Sequence, residues 1–351
     1  MMHVVAAPNA LKGTIDAPTA ARMIAAGARQ ADPTIVVTEL PVADGGDGTR
    51  EVLVAALGGT THELEVEDAL GRPVRASWSR LPEGSAVIDV ASASGIARLD
   101  ASERDVMRAS SYGTGELLRA ALDAGCTRVI LGVGGSATVD GGAGLLEALG
   151  IRFRDTAGEV IARGGRGLGA AASVDRSAAH PALERCEIVV ACDVTSRLLE
   201  AARLYGPQKG ATPEQVDELT RNLARLGDLL GLGDVPRGGA AGGIAAGLHA
   251  VLGARLVSGI DLVLDLVGFD ENVRAADLVL TAEGRFDETS AAHKGPWGVA
   301  ERAKALGVPT ALLAGSVSAE MQSRAGLPFA AVAAVTDSLA VTAERVVRLF
   351  L

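Results

Sequence analysis

An apolar run, RVILGV, leads directly into a glycine-rich segment, GGSATVDGGAG, at residues 134–144. Five of these eleven residues are glycine, and one carboxylate, Asp140, lies among them. This order is typical of a buried strand followed by a loop, because glycine allows sharp turns and close backbone approach. Backbone N–H groups where such a loop meets a helix commonly bind an anion, usually phosphate. The segment therefore predicts a strand, a loop and a helix that together form an anion site.

Short apolar strands alternate with amphipathic helices at both ends of the chain. HVVAA, IVVTEL, DLVLT and PTALLAG are the strand-like runs, and such alternation predicts a parallel sheet covered by helices on both faces. Residues 60–91 instead read as short strands joined by tight turns, which favours antiparallel hairpins. We predict an α/β fold with two α/β domains. Residues 1–58 plus 268–351 form a Rossmann-like domain with a parallel sheet, and a mixed α/β domain, residues 59–267, is inserted into it.

Polar residues mark the expected helix starts. Asp16, Thr114 and Thr212 each precede a run with helical spacing and are predicted N-caps. Thr212 is followed by proline and, three positions on, by Gln215, which is the pattern of a capping box.

Composition excludes several classes of partner. The net charge of −10 and the aromatic content of 3% argue against a nucleic-acid surface, which needs positive charge and stacking side chains. No apolar stretch approaches the ~18 residues that span a bilayer, and the N-terminus lacks the pattern of a signal peptide. Three cysteines without C-x-x-C spacing read as reduced thiols in a cytoplasmic protein. We therefore expect a small-molecule ligand, no nucleic acid and no membrane.

Charged and polar side chains follow several predicted strands, where open α/β sheets bind their ligands. These residues are Asn9, Lys12, Asp44, Asp47, Ser136, Asp140, Asp193, Glu283, Arg285 and Asp287. Each also has a structural interpretation: the aspartates can cap turns or helices, and Glu283 with its neighbours can form a surface ion-pair cluster. Lys209, in YGPQKG, can be a solvated loop lysine. The repeated placement at strand ends favours a site.

A competing motif covers the same loop. Gly132–Ala137 matches G-x-G-x-x-[GA] after a strand, and Asp155 follows roughly twenty residues later, as in the dinucleotide fingerprint. An oxidoreductase that uses NAD is therefore an alternative. Against it, the loop runs straight into VDGGAG, which places an acid beside the expected pyrophosphate, and the motif lies in mid-chain.

Several segments, in order along nearly the whole chain, resemble the bacterial glycerate kinase family with GGSAT-DGG and GPQKGA signatures. They are APNALKGT, LPVADGGDGT, YGTGEL, GVGGSATVDGGAGLLEALG, ACDVT, YGPQKGAT, GGAAGG and TAEGRFDETSAAHKGPWGVA. Ala282 and Phe286 depart from the family, which usually has glycine and leucine there. Because the 282–293 loop is altered, a non-catalytic sensor of glycerate or nucleotide is a second alternative.

The resemblance implies an ATP- and Mg²⁺-dependent kinase that phosphorylates D-glycerate, in most members at the 2-hydroxyl, to give 2-phosphoglycerate and ADP. It also implies an active site in the cleft between the two domains. The residues leave open the choice between the 2- and 3-hydroxyl, and they leave open whether the protein is a homo-oligomer.

The resemblance and the chemistry of phosphoryl transfer assign roles to the candidate residues. Asp44 is the first candidate for the base and Asp193 the second, with Lys12 and Arg285 completing the catalytic set. Asp193 and Asp140 are the candidate Mg²⁺ ligands. Nucleotide contacts are predicted for Gly134, Gly135, Ser136, Gly141, Gly142, Lys209, Gly242, Gly243 and Lys294. Substrate contacts are predicted for Asn9, Asp47, Glu283, Arg285 and Asp287.

Overall fold

The computed structural model describes residues 1–11, 13–291 and 295–351. The strands are β1 His3–Ala6, β2 Val36–Glu39, β3 Thr60–Glu67, β4 Pro73–Arg80, β5 Ala86–Asp89, β6 Arg128–Gly132, β7 Arg152–Arg154, β8 Ser173–Asp175, β9 Glu187–Cys192, β10 Arg255–Ser258, β11 Leu278–Phe286, β12 Thr310–Val317 and β13 Ala331–Ala334. The helices are α1 Ala17–Ala31, α2 Thr49–Leu57, α3 Ala91–Ser94, α4 Tyr112–Asp123, α5 Ala143–Ala148, α6 Ala201–Tyr205, α7 Pro213–Leu229, α8 Ile244–Leu252, α9 Gly259–Leu266, α10 Phe269–Val273, α11 Gly295–Ala305, α12 Ala319–Ser323 and α13 Leu339–Val347.

The chain divides into two compact units. Unit 1 contains Met1–Asp44, Glu51–Leu57 and Gly259–Leu351, and unit 2 contains Gly45–Arg50 and Gly58–Ser258. The predicted domain boundaries stay a prediction, because compactness alone does not show that either unit folds independently.

Unit 1 contains a five-stranded sheet in the order β13-β12-β11-β1-β2, and each neighbouring pair is parallel. Its strands are short runs of buried apolar residues, such as Val4–Ala6 in β1, as expected for a sheet covered on both faces. Helix α1 begins where the Asp16 side chain accepts a hydrogen bond from the Thr19 N–H at 2.7 Å, so this predicted cap is confirmed. A Cβ on Gly27 of α1 would lie 2.0 Å from the Ala340 carbonyl oxygen, so α1 and α13 pack closely.

Unit 2 contains a six-stranded sheet in the order β10-β9-β6-β5-β4-β3. The first four strands are parallel, and β4 pairs antiparallel with both β5 and β3, so the predicted hairpins are confirmed. Strands β7 and β8 form a separate antiparallel pair. The α/β fold class is therefore confirmed.

Of the two helix starts predicted in unit 2, one is confirmed and the other is wrong. Thr212 and Gln215 form the predicted capping box of α7. The predicted Thr114 cap is wrong, because α4 begins earlier, at Tyr112. The Thr114 hydroxyl is buried and donates a hydrogen bond to Ser94 Oγ at 2.9 Å, so tertiary contacts rather than a helix end determine its position.

Two further features concern membrane-spanning helices and the cysteines. Across the described residues, no helix combines the length and apolar character needed to cross a membrane. The three cysteines are free thiols, and burial raises the pKa of Cys192 to about 12 and that of Cys186 to about 11. Such thiols stay protonated and are poor nucleophiles near neutral pH.

Candidate functional site

Unit 1 has a polar cavity of about 510 Å³. It lies beyond the carboxyl ends of β1, β2, β11 and β12, which is where open parallel sheets bind ligands. Its lining residues are Asn9, Ala10, Leu11, Thr14, Asp44, Glu283, Gly284, Arg285, Asp287, Ser290, Pro296, Gly315 and Ser316. The cavity thus brings together five of the predicted site residues.

Asn9 and Asp44 form one wall of this cavity. Asp44 is only 6% exposed, and the Asn9 amide nitrogen donates a hydrogen bond to its Oδ2 at 3.3 Å. Asn9 is itself fixed, since its Oδ1 accepts from the Ala10 N–H at 2.8 Å and its own N–H donates to the Ala282 carbonyl at 3.1 Å. A Cβ on Gly295 would lie 2.4 Å from the Asn9 amide nitrogen, so Asn9 has little freedom to move. A carboxylate held this firmly can act as an oriented hydrogen-bond acceptor.

A second part of the cavity lining comes from the end of β11 and the turn after it. The Arg285 side chain is 73% exposed and forms an ion pair with Asp287 at 3.0 Å. Because exposed ion pairs contribute little free energy, the guanidinium can exchange this partner for a ligand carboxylate at small cost.

Ser290 also lines the cavity and was missed from the sequence. It is 4% exposed, and its hydroxyl lies 3.1 Å from Glu283 Oε2 and 3.3 Å from the Arg285 carbonyl oxygen, either of which can accept its one proton. Its oxygen accepts from the Asp287 N–H at 3.3 Å. Ser316 was missed too, although it lies near the carboxyl end of β12, a parallel strand, and the same strand-end argument would have found it.

One predicted substrate residue does not line this cavity, and two predicted lysines cannot be placed. Asp47 is exposed on the loop 45–50 of unit 2 and does not line the cavity. Lys12 and Lys294 lie outside the described residues, so their roles stay predictions.

Unit 2 places Lys209 against the glycine-rich loop. The residue ends a short 3₁₀ turn, Pro207–Lys209, and is only 3% exposed. Its Nζ donates to Ser136 Oγ at 2.9 Å and to the Thr138 carbonyl oxygen at 2.8 Å. Burial lowers the pKa of Lys209 to about 7, although the negative charges of Asp140 and Asp193 oppose that shift. The interpretation of Lys209 as a solvated loop lysine is therefore wrong.

Asp140 is enclosed by hydrogen-bond donors. Its Oδ2 accepts from the Ser111 N–H and hydroxyl, both at 2.8 Å, and from the Gly144 N–H at 3.3 Å, while Oδ1 accepts from the Gly142 N–H at 3.1 Å. Burial raises the pKa of this carboxyl, and the donors act in the opposite direction. The geometry is that of a carboxylate that organises the start of α5, and its metal role stays a prediction.

Most of the predicted nucleotide-binding glycines pack against other backbone. Five of the six are buried: Gly134, Gly141, Gly142, Gly242 and Gly243. A Cβ on Gly134 would lie 2.4 Å from the Gly46 Cα, and one on Gly242 would lie 2.0 Å from the Thr138 carbonyl oxygen. The structure gives these glycines a packing role, and only Gly135 is exposed on the loop.

Asp193 follows β9 and is half-buried. Within residues 1–11, 13–291 and 295–351, no group of three or more His, Cys, Asp or Glu side chains is arranged to hold a metal ion. Mg²⁺ in kinase sites commonly takes only one or two carboxylates and completes its shell with phosphate and water. A single carboxylate such as Asp193 can supply the protein ligand of such a site. The described residues do not form a site in which protein ligands alone would hold a metal ion.

The dinucleotide interpretation lacks its acidic residue. Asp155 lies in the turn after β7, where its Oδ1 accepts from the N–H groups of Ala157 and Glu159, both at 2.9 Å. The side chain stabilises its own turn, as an Asx residue does. Gly134 also packs closely against Gly46, so protein backbone fills the space beside this glycine that a pyrophosphate would need.

Comparison with known proteins decides between the remaining classes. The family model described as "Glycerate kinase family" matches residues 4–348. The chain belongs to the glycerate kinase family. It is 41% identical to the glycerate 2-kinase of Escherichia coli K12 over 327 residues, which cover 90% of this chain and 86% of that protein. It is 42% identical to the glycerate kinase of Bacillus subtilis 168 over the same shares of each chain.

The fold agrees with that assignment. A crystal structure assigned to a glycerate kinase 2 from Salmonella typhimurium LT2 superposes with a TM-score of 0.86 and 39% identity, covering 99% of this chain and 96% of that one. The resemblance seen in the sequence is therefore confirmed, and this glycerate kinase family member is an enzyme of the kinase class. The oxidoreductase and sensor alternatives receive no support.

Proposed function

We propose that the protein transfers the γ-phosphoryl group of ATP to the 2-hydroxyl of D-glycerate, giving 2-phosphoglycerate and ADP. Family membership supports phosphorylation of glycerate, and the name of the Escherichia coli relative supports the 2-position. The observation that carries the proposal for this chain is the unit 1 cavity, which combines three carboxylates with one exposed guanidinium.

The cavity suits a small hydroxy acid. Arg285 can hold the substrate carboxylate in a bidentate fork. Carboxylates accept hydrogen bonds from hydroxyl groups, so Asp44, Glu283 and Asp287 can bind the two hydroxyls of glycerate. The combination of one cation with several acceptors suits a hydroxy acid better than a simple anion.

Asp44 is our candidate for the general base. The substrate hydroxyl oxygen forms a bond to the γ-phosphorus, its proton passes to an Asp44 oxygen, and the bond from phosphorus to the β,γ-bridging oxygen breaks to release ADP. Asn9 keeps the Asp44 carboxylate oriented for this transfer. The role of Asp44 rests on its position in the cavity and on the chemistry, and it stays a proposal.

For the nucleotide we propose contacts from unit 2, through Gly135 and Ser136 of the loop that follows β6. Mg²⁺ would be held by Asp193 and would neutralise phosphate charge when bound. The predicted placement of the active site between two domains, the cytoplasmic location and the oligomeric state stay predictions.

The test is a proton-coupled ³¹P NMR spectrum of the product formed from ATP and D-glycerate. A phosphate on carbon 2 has one neighbouring proton and gives a doublet, whereas one on carbon 3 has two and gives a triplet. A doublet with one ADP per product is expected. A triplet would move the reaction to the 3-hydroxyl, and the absence of product would reject the proposed substrate.

A further inference from the structure

The Lys209 ammonium group is held inside unit 2 by the glycine-rich loop itself. It donates two short hydrogen bonds to the residues before and after Ala137, one to Ser136 Oγ and one to the Thr138 carbonyl oxygen. At 3% exposure, this lysine would have to give up both bonds to reach a phosphate. A buried polar bond of this kind is costly to break without replacement. Lys209 therefore differs from an ordinary phosphate-binding lysine, whose Nζ reaches the ligand directly.

We propose that Lys209 is a positioning residue: it fixes the segment Gly134–Thr138 and turns the Ser136 hydroxyl proton towards a phosphate oxygen of the nucleotide. The inference rests on the proposed nucleotide site of unit 2 and adds a mechanism to it. Lys209 acts on the nucleotide only through Ser136.

The directions of the hydrogen bonds support this. The protonated form of Lys209 has three donors and no acceptor, so in that form Ser136 Oγ accepts from it. The hydroxyl proton of Ser136 is then available to an acceptor, and no acceptor for it is found in the part of the chain that the structure describes. The adjoining Gly135 is exposed, so the loop opens to solvent next to this hydroxyl.

Backbone hydrogen bonds fix both Lys209 and the loop that carries Ser136. The Lys209 N–H donates to the Gly206 carbonyl at 2.9 Å, and the Gly210 N–H donates to the Pro207 carbonyl at 3.1 Å, which closes the turn. On the loop side, the Ala137 N–H donates to the Ser94 carbonyl at 2.9 Å.

A second hydroxyl on the same loop, that of Thr138, is also evidence for a ligand here. Thr138 Oγ1 is fully buried and has no hydrogen-bond partner among the described residues. An orphaned buried hydroxyl costs about 1–3 kcal/mol, and a ligand or a bound water would recover that cost.

A double-mutant cycle tests the proposal. Lys209→Met, Ser136→Ala and the double variant are compared with the wild-type protein in steady-state kinetics with ATP and D-glycerate. Each single change should raise the KM for ATP about 10-fold, as loss of a charge-assisted contact does, and leave the KM for glycerate unchanged. The double variant should resemble the worse single variant, because without the hydroxyl Lys209 has nothing to orient. Lys304→Met, on the exposed face of α11, is the matched control and should change neither constant.

Additive effects, near 100-fold in the double variant, would overturn the proposal and make Lys209 a direct phosphate ligand. If Lys209→Met does not fold, as shown by circular dichroism, Ser136→Ala decides alone, and an unchanged KM for ATP overturns the proposal. The same cycle is measured by calorimetric titration with ADP. Should glycerate not be phosphorylated while ADP binds with the predicted non-additivity, the proposed reaction fails and the role of Lys209 stands. An absence of ADP binding would overturn the role of Lys209 as well.

Discussion

At the scale of single residues, two of the buried aspartates, Asp44 and Asp140, differ in their surroundings. Asp140 accepts four hydrogen bonds from protein donors, so its carboxylate is committed to the protein. Asp44 lines a cavity and is oriented by Asn9, so its carboxylate can still meet a ligand. Burial alone does not identify a functional carboxylate, and a place in the lining of a polar cavity is the better indication.

Asp44→Asn should therefore lower kcat with glycerate by at least ~10²-fold, because the amide keeps the shape but cannot accept the proton. Its thermal unfolding midpoint should stay close to that of the wild type, measured by calorimetry. Asp32→Asn, at the C-cap of α1 and outside the cavity, serves as the control and should keep full activity. Retention of normal kcat in Asp44→Asn would transfer the role of base to another group.

Lys209 makes the free energy of unfolding depend on pH. Its pKa is about 7 in the folded protein, because burial disfavours the charged form, and about 10.4 in an unfolded chain. Between these values the unfolded state binds more protons, so the contribution of this residue to stability rises with pH across that window and is flat below it. The difference in unfolding free energy between wild type and Lys209→Met should shift in favour of wild type by at most about 3 kcal/mol from pH 7.5 to 10. Urea titrations at several pH values measure it, and a constant difference would show that Lys209 does not titrate there.

Residue type and spacing predicted which side chains lie at strand ends, and the cavity of unit 1 contains five of them. They could not predict that Lys209 contacts Ser136, because the two are 73 positions apart and the contact exists only in the folded chain. Ser290 was missed for a related reason, since a serine in a turn has no pattern that separates it from a solvent-exposed one.

At the scale of elements, two glycine-rich segments support each other. The Gly141 N–H donates to the Gly242 carbonyl at 3.1 Å, and a Cβ on Gly247 of α8 would lie 2.0 Å from the Gly141 carbonyl oxygen. This closeness holds the loop after β6 against the start of α8. The sequence indicated phosphate cradles at both segments, because glycine in a loop serves backbone packing and ligand approach equally well.

Gly242→Ala tests this packing role, with Gly253→Ala as its match. The two residues have nearly the same left-handed φ, +65° and +67°, but the Cβ of the first would meet the Thr138 carbonyl and that of the second would meet nothing within 4 Å. Gly253→Ala should cost roughly 1–2 kcal/mol for the backbone conformation alone, and Gly242→Ala at least about 2 kcal/mol more through steric overlap. Equal losses in urea unfolding would show that the segments are loosely packed.

Periodicity and end signals predicted the elements well where local chemistry decides, as in the Asp16 cap of α1 and the capping box of α7. Prediction was wrong at Thr114, where contact with Ser94 outweighs the intrinsic preference of threonine for a helix end.

At the scale of the whole molecule, each unit has its own sheet and its own proposed ligand. Hydrogen exchange measured by mass spectrometry should therefore separate the two ligands. D-glycerate should slow exchange in unit 1, around Asn9 and the end of β11, and ADP should slow exchange in unit 2, around Ser136 and Lys209. D-lactate, which lacks one hydroxyl, is the control ligand and should protect more weakly. Protection of Ser136 by glycerate alone would contradict the proposed division.

The order of β1 in its sheet has a consequence for synthesis. β1 pairs on one side with β2, which follows shortly, and on the other with β11, Leu278–Phe286. At ~5–20 residues per second on a ribosome, the partner on that second side emerges on the order of tens of seconds later. The nascent chain thus holds an apolar edge without its neighbour while all of Gly58–Ser258 is translated. A chaperone that recognises extended apolar segments would find a target in β1 during that interval.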